Sequence, residues 1–461
     1  MENTLIYAPT ALRPTSAQQA SLNALYDTAE QLHFTLRGWL RTVGTGVHLH
    51  LAEALEQVAG GHPLPRVDDD HCIQLCADAV AQVQALAHAD LPERWRVALP
   101  AGVMRSLIKI ETRRLKRGAS RVRADTLLPL RPLDRVALDE AAVPVDDYHV
   151  MLCGVPEPVV ADLWALPHDL TRALLTEADD RARHAAAEWA AGLERLLQGD
   201  VAAAGTLYQV DRDTWPWRER QPTLTLDRAL PHRYQHVSLV RTTDESGTPR
   251  LVLHWTIRIP GGYLPKANRS GGFGVDLGYR HVATGASDQG ITAVPRRVDV
   301  RRGLPEPADD RRAIHSHARM RRSCLEAHRE GLEDMLKLAL QHRQVNVEAT
   351  DWAGILDHGR APWSVEAMSL IGAPLLVSWI QTLAPASGTQ VTLVEPAGTS
   401  RTCHHCGETG KRPWPYREFY CPLCGTSMDA DHNSAAVLRQ APAQPQAGKR
   451  RASVDRSGRR S

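Results

Sequence analysis

Four cysteines late in the chain stand as two pairs, Cys403-His404-His405-Cys406 and Cys421-Pro422-Leu423-Cys424, with fourteen residues between them. Zinc takes four soft ligands in a tetrahedron, and each Cys-x-x-Cys turn delivers two thiolates from one tight loop. Gly407 and Gly425 follow the pairs directly and supply the backbone freedom such a knuckle needs. The spacing predicts one structural zinc ion on Cys403, Cys406, Cys421 and Cys424, with disulfide pairing as the alternative. The four thiolates leave no open position for a substrate, and His404 and His405 are bystanders. A zinc deaminase would need a His-x-Glu element upstream and a Pro-Cys-x-x-Cys knuckle. Here Pro422 follows its cysteine, and His254 leads into Trp255-Thr256. The remaining cysteines, Cys72, Cys76, Cys153 and Cys324, are scattered and read as small buried apolar residues.

Three acidic residues sit in strand-like or helix-initial settings. Phe273, Val275 and Leu277 alternate around Asp276 before Gly278 opens a turn toward a second strand at 281–284. Glu348 ends the short apolar strand Gln344-Val345-Asn346-Val347-Glu348. Asp431 lies in Met428-Asp429-Ala430-Asp431-His432-Asn433, which follows the second knuckle and turns helical at about Asn433. Each acid alone reads as a turn residue or a helix cap. As a set they match what two magnesium ions require: hard carboxylate oxygens carried to one place by rigid elements.

The elements that must position these groups follow from periodicity. From residue 17 to about 60 Leu22, Leu25, Ala29, Leu32 and Leu36 recur near a helical repeat, with Ser16 as N-cap. Further helices are predicted over about 70–89, 101–117 and 171–197, and a long helical stretch over about 308–341. Arg105, Lys109, Arg113 and Lys116 are spaced four, four and three, so they share one face of the third helix. That stripe could follow a phosphate backbone or be an ordinary solvated face. Residues 124–165 show no clear period. Strands are predicted at 223–226, 234–242 and 250–259, the last two joined as a hairpin through Asp244-Glu245-Ser246-Gly247. The chain therefore changes near residue 220 from helices to strands.

The chain has 461 residues, 43% of them hydrophobic, and a net charge of +2, room for two or three domains. The near-neutral charge says little about a polyanion partner. Its cations are almost all Arg, which suits bidentate phosphate contacts but also accompanies GC-rich coding. No run of eighteen apolar residues and no basic-then-apolar leader occur, which predicts a cytoplasmic protein with no membrane association.

The order of motifs brings a family into view. Gly274-Val275-Asp276-Leu277-Gly278, a long helix, a strand ending in Glu348, Thr399-Ser400-Arg401-Thr402-Cys403, two Cys-x-x-Cys-Gly knuckles and Asp429-Ala430-Asp431-His432-Asn433-Ser434-Ala435-Ala436 resemble the TnpB proteins of transposons and the related small type V CRISPR effectors. The similarity is strong from about 270 to 440, weaker over 1–60 and thin between. The resemblance implies an RNase H-like, RuvC-type nuclease core with an inserted zinc ribbon, a small β-barrel (wedge) and an N-terminal α-helical recognition lobe. It divides the chain into a first wedge strand (1–15), helical lobe (16–220), wedge (221–268), nuclease core (269–398), ribbon (399–427), final core segment (428–440) and basic tail (441–461). It implies Asp276, Glu348 and Asp431 as catalytic magnesium ligands, a guide RNA, and target double-stranded DNA cut at phosphodiester bonds. Trp215 and Trp217 with Arg212, Arg218 and Arg220 would either stack on nucleotides or pack in a core. Ala349-Thr350-Asp351-Trp352 departs from the Asp-Leu that usually follows the family's glutamate. That departure keeps open a guided binder that silences DNA without cutting it. The same residues would also suit a strand-transfer transposase, and the knuckles alone would suit a zinc-ribbon transcription factor.

Overall fold

The computed structural model describes residues 4–42, 135–138, 142–152, 155, 157–204, 233–243, 249–259, 263–278, 280–297, 310–349, 372–396, 398–413 and 417–441. The basic stripe Arg105, Lys109, Arg113 and Lys116 lies outside these residues. So do Trp215, Trp217, the strand expected at 223–226, the helices expected at 70–89 and 101–117, and all of the tail beyond Ala441. The described residues fall into two compact units, one of 2–260 and 306–319, the other of 261–305 and 320–461.

The first unit is an antiparallel sheet with helices. Its strands are β1 (Thr4–Arg13), β2 (Val136–Ala137), β3 (Ala142–Asp146), β4 (His149–Leu152), β5 (Val159–Ala161), β6 (Arg233–Thr243) and β7 (Pro249–Ile259), and its main helices are α1 (Ser16–Thr42) and α2 (His168–Leu197). The strand order is β2-β6-β7-β1-β5-β4-β3. On β1 the period is two: Ile6, Ala8, Thr10 and Leu12 are buried while Leu5 and Tyr7 are exposed. β1 pairs with β7 from Thr4 opposite Ile259 to Ala11 opposite Val252, so strands from the two ends of residues 2–260 lie side by side within its sheet.

In this unit the structure corrects two expectations. Residues 136–161, inside the stretch read as a helical lobe, form β2 to β5 and complete the sheet. They are only two to five residues long, too short for a period to show, and Pro144 breaks the alternation. The cap of α1 is Thr15, not Ser16. The Gln18 N–H donates to Thr15 Oγ1 (3.3 Å), and the Thr15 N–H donates back to Gln18 Oε1 (3.1 Å), a reciprocal capping box.

The second unit contains β8 (Arg269–Asp276), β9 (His281–Ser287), β10 (Gly290–Pro295), α4 (Arg329–Ala339), β11 (His342–Glu348), α5 (Gly372–Ser387), β12 (Gln390–Val394), β13 (Glu418–Tyr420), β14 (Ser427–Asp429) and α6 (Ala430–Gln440). The chain enters it through α3 (Arg311–Glu326), whose first residues belong to the other unit. The expected long helix is thus two, separated at His328. There Nδ1 donates to Cys324 O (3.1 Å) and Nε2 accepts the Arg297 N–H (2.9 Å). Cys324 is buried, as expected of a scattered cysteine.

The main sheet of this unit runs β10-β9-β8-β11-β12. β8, β9 and β10 are antiparallel neighbours, whereas β11 runs parallel to both β8 and β12. Side-chain alternation then decides which residues meet. Gly272 and Gly274 of β8 face α6, and Asp276 continues that row. On β11, Asn346 Nδ2 donates to the Leu438 and Ala441 carbonyls at the end of α6 (2.8 and 2.9 Å), the first of which also accepts the Ala441 N–H (3.1 Å). Asn346 therefore faces α6, and Glu348, two residues on, faces the same way.

The approach of α6 to β8 depends on glycine. A Cβ on Gly274 would lie 2.1 Å from Ala435 O and 2.3 Å from Arg439 N, and both obstacles are main chain. Gly274→Ala must push the helix off the sheet and is expected to cost about 3 kcal/mol. Urea unfolding would show this as a lower midpoint with unchanged slope, and an unchanged midpoint would mean that α6 does not sit this close.

Candidate active site and zinc centre

Asp276 is the last residue of β8 and Glu348 the last of β11, and Val275 pairs with Val347 immediately before them. The two carboxylates therefore leave the same end of adjacent parallel strands. Asp431 stands in the first turn of α6, above the turn after Asp276: a Cβ placed on Gly278 would lie 3.7 Å from Asp431 Oδ2. The structure thus brings together Asp276, Glu348 and Asp431, which lie far apart in the chain. Asp276 is only 7% exposed. Burial pushes its carboxyl well above the usual range, and the charges of Glu348, Asp431 and Asp429 push the same way, against the pull of Arg412.

The two aspartates of the Asp429-Ala430-Asp431 element do different work. Asp429 caps α6, accepting the Asp431 and His432 N–H groups, and pairs with Arg280. Asp431 is left to face the other acids. Its Oδ2 lies 3.0 Å from His281 Nδ1 and its Oδ1 lies 3.8 Å from Arg412 Nη2. His281, Asp429 and Asp431 are themselves close enough to share a cation.

Spacing alone gave no reason to select three of these neighbours. Arg412 comes from between the two knuckles, and His281 is the first residue of β9. Thr399, 6% exposed, donates from Oγ1 to Glu348 Oε1 (3.0 Å), shared with Pro396 O (3.0 Å). The only sequence signal for Thr399 was its place at the head of Thr399-Ser400-Arg401-Thr402-Cys403. Thr399→Val keeps the shape and removes the donor, a change of about 1 kcal/mol. A urea midpoint lowered by the equivalent of that amount is expected, and a midpoint equal to wild type would show that Glu348 needs no such support.

The four cysteines converge as two matching knuckles. In each, the first cysteine's carbonyl accepts the N–H of the glycine four residues on, from Gly407 to Cys403 and from Gly425 to Cys421, both 2.9 Å. Gly407 and Gly425 adopt φ of +77° and +74°, a conformation that favours glycine. Cys403 Sγ lies 3.6 Å from Cys424 Sγ, and Cys406 Sγ lies 3.5 Å from Cys421 Sγ. A tetrahedral zinc with Zn–S of about 2.3 Å has S···S edges of about 3.8 Å, so the cage fits that ion, and the thiols are free rather than bridged. Donation from the Thr426 hydroxyl lowers the Cys424 thiol to about 6. Cys406 moves the opposite way, up to about 12: a backbone hydrogen bond at Glu408 pulls it down, but desolvation and its thiol neighbours outweigh that pull. The fit to zinc therefore rests on the S···S geometry.

The ribbon and α6 are tied together. Asn433, fully buried, donates from Nδ2 to Thr402 O (2.7 Å), and its Oδ1 accepts the His404 N–H (3.1 Å). Gln440 Nε2 donates to His404 O (2.9 Å). His404 is therefore no zinc ligand but a backbone anchor for the helix carrying Asp431.

Residues 375–438 match the family model described as Cas12f1-like, TNB domain. This segment is Cas12f1-like in sequence. It runs from α5 through β12 and both knuckles to Leu438 of α6, so the resemblance of the chain to TnpB-like and small type V effectors is borne out. Among curated proteins nothing matches. Two solved structures align with most of the chain, each at 13% identity. "Cryo-EM structure of the Cas12f1-sgRNA-target DNA complex" covers 92% of this chain and 83% of its own, with a TM-score of 0.30. "Cryo-EM structure of CRISPR-Cas12f Ternary Complex" covers 91% and 82%, with a TM-score of 0.24. Among the described residues no helix is long and apolar enough to cross a membrane.

Proposed function

We propose that the protein is an RNA-guided DNA endonuclease of the RuvC type, with a guide RNA and double-stranded target DNA as partners. The observation that carries this reading is the trio Asp276, Glu348 and Asp431. One buried carboxyl lies at a strand end, a second leaves the adjacent parallel strand, and a third descends from the helix packed across both. The strand order of the five-stranded sheet, with three antiparallel strands followed by two parallel ones, supports an RNase H-like core.

The donor set suits magnesium. All three groups are hard oxygen ligands, and Asp276 is a carboxyl that gains its charge easily only when a cation is near. Bound there, two magnesium ions would supply Lewis-acid charge and a water nucleophile for phosphodiester hydrolysis. The chain's own part is positional. Asp276 and Glu348 are fixed by the parallel strand pair, Asp431 by the glycine-lined seat of α6, and Glu348 is oriented by Thr399. Arg412 carries positive charge to the edge of the site, where a phosphate would lie. The four-cysteine cage would hold zinc for structure, since its four ligands are all protein thiols.

The test is to co-express the chain with its flanking locus, purify it and sequence the bound RNA. A plasmid matching that RNA is then incubated with the complex and magnesium, beside Asp276→Ala. A discrete RNA with cleavage lost in the variant is the expected result. RNA and target binding without any cleavage by wild type would replace the nuclease reading with that of a silencing binder. No bound RNA would remove both.

A further inference from the structure

We propose that His281 is a positioning residue that fixes Asp431 against Asp276, an inference resting on the nuclease reading above. The residue joins two parts of the site that approach from different elements. Its backbone carbonyl accepts the Gly278 N–H (3.2 Å), which closes the turn directly after Asp276. Its side chain reaches the other acid, with Nδ1 3.0 Å from Asp431 Oδ2. A carboxylate can only accept, so Nδ1 carries the proton and the imidazole donates. His281 thus holds the strand end by its main chain and the helix acid by its ring.

Two further features keep that bond fixed. The His281 and Asp431 side chains are only 13% and 15% exposed, so water competes weakly for either partner. The His281 ring also stacks on His432, with centroids 5.8 Å apart and planes 25° apart, and His432 is the residue next to Asp431 on α6. Without the donor, only Arg412 among the described residues, 3.8 Å from Oδ1, would restrain the Asp431 carboxylate, and it could rotate away from the other acids. With Oδ2 held, the carboxylate keeps one orientation before any cation arrives. Outer donors of this kind set the affinity of metal ligands, and their loss typically weakens binding by about 10–100-fold.

The experiment uses the RNA-loaded protein with matched DNA and compares wild type with His281→Ala, His281→Asn, His281→Phe and Asp276→Ala. Asn can place an amide N–H near the position of Nδ1, whereas Phe keeps the stacked ring and has no donor. Manganese binding by electron paramagnetic resonance, taken as the signal lost in Asp276→Ala, reads the site directly. The magnesium midpoint and the rate at saturating magnesium are read in parallel.

His281→Ala and His281→Phe should need about tenfold more metal for half-occupancy. Their rates at saturating metal and their target binding in EDTA should stay within about threefold of wild type, and His281→Asn should restore the metal midpoint. A merely structural role would lower the saturating rate, or the amount of folded complex, without moving the midpoint. If His281→Ala does not fold, the contrast between Phe and Asn decides. Equal midpoints in wild type and His281→Phe would overturn the proposal while leaving the nuclease reading intact. No Asp276-dependent manganese signal in wild type would sink the nuclease reading and this inference with it.

Discussion

Asp276→Asn is expected to abolish cleavage while raising the melting temperature of the metal-free protein. Asn resembles the protonated carboxyl in shape and has no charge to bury. In the wild type, burial and the charges of Glu348, Asp431 and Asp429 raise the Asp276 carboxyl well above its ordinary value. A group with a raised folded pKa binds its proton more tightly in the native state. Its contribution to stability is therefore complete below the unfolded value, near 3.8, and is lost as pH rises through the higher folded value. The difference between Asn and wild type should vanish near pH 4 and widen toward pH 8. Each kcal/mol gained appears as about 2–4 °C when a unit the size of 261–305 with 320–461 melts on its own, and as less when the whole chain melts together. Magnesium should reverse the order at pH 8 by stabilising only the wild type, and cleavage by the variant should fall at least about 10³-fold. Melting curves in EDTA from pH 4 to 8, repeated with magnesium, are the measurement. A variant that melts lower than wild type at pH 8 in EDTA would mean that the carboxyl is not held against its preference.

Cys421→Ser is expected to remove zinc and, through Asn433, to disable a site that contains no zinc. Cys421 is fully buried with Cys403, Phe419 and Ala430 in the small core of the ribbon. Structural zinc contributes about 10–16 kcal/mol to the folding of isolated zinc-finger peptides, and a ribbon this small has little else to hold it. β14 of the ribbon leads directly into α6, and Asn433 and Gln440 grip the first knuckle. Loss of the knuckle therefore frees the N-terminal end of the helix carrying Asp431. Zinc content should fall from about one per chain to near zero, and cleavage should drop at least about 100-fold. Asn433→Ala separates the two effects: it should keep its zinc and lose about tenfold in rate. Full activity in zinc-free Cys421→Ser would show that the ribbon and the acids are independent.

Some of this was legible in local spacing. Cys403, Cys406, Cys421 and Cys424 announce their cage because the two ligands of each pair lie within one turn, and the glycines that follow suit that turn. The strand ending at Asp276, the hairpin strands at 233–243 and 249–259 and the strand ending at Glu348 could be read from alternation, because apolar residues in them alternate with small or polar ones. The resemblance then supplied the acids as a set, which no property of the separate residues could do.

What the sequence left open depends on contacts between distant segments. The strands at 136–161 are too short for periodicity to show, and they exist because β5 pairs with β1 and β2 with β6. The split of the helix at His328 comes from hydrogen bonds to Cys324 and Arg297 that no propensity encodes. The division of labour between Asp429 and Asp431 is invisible in a run of three residues, since either can cap a helix. It is settled by where α6 begins and by Arg280 waiting at its N-terminus. Thr399, His281 and Asn433 are ordinary polar residues in sequence, and each gains its place from a partner 29 to 150 positions away. Sequence by itself determined which residue types could do chemistry and the local elements that carry them, because turns, knuckles and strand faces are set by neighbours in the chain. Only the tertiary structure decided which oxygens face one another. The parallel pairing of β8 with β11 and the glycine seat for α6 are long-range contacts, and they alone bring Asp276, Glu348 and Asp431 to one point.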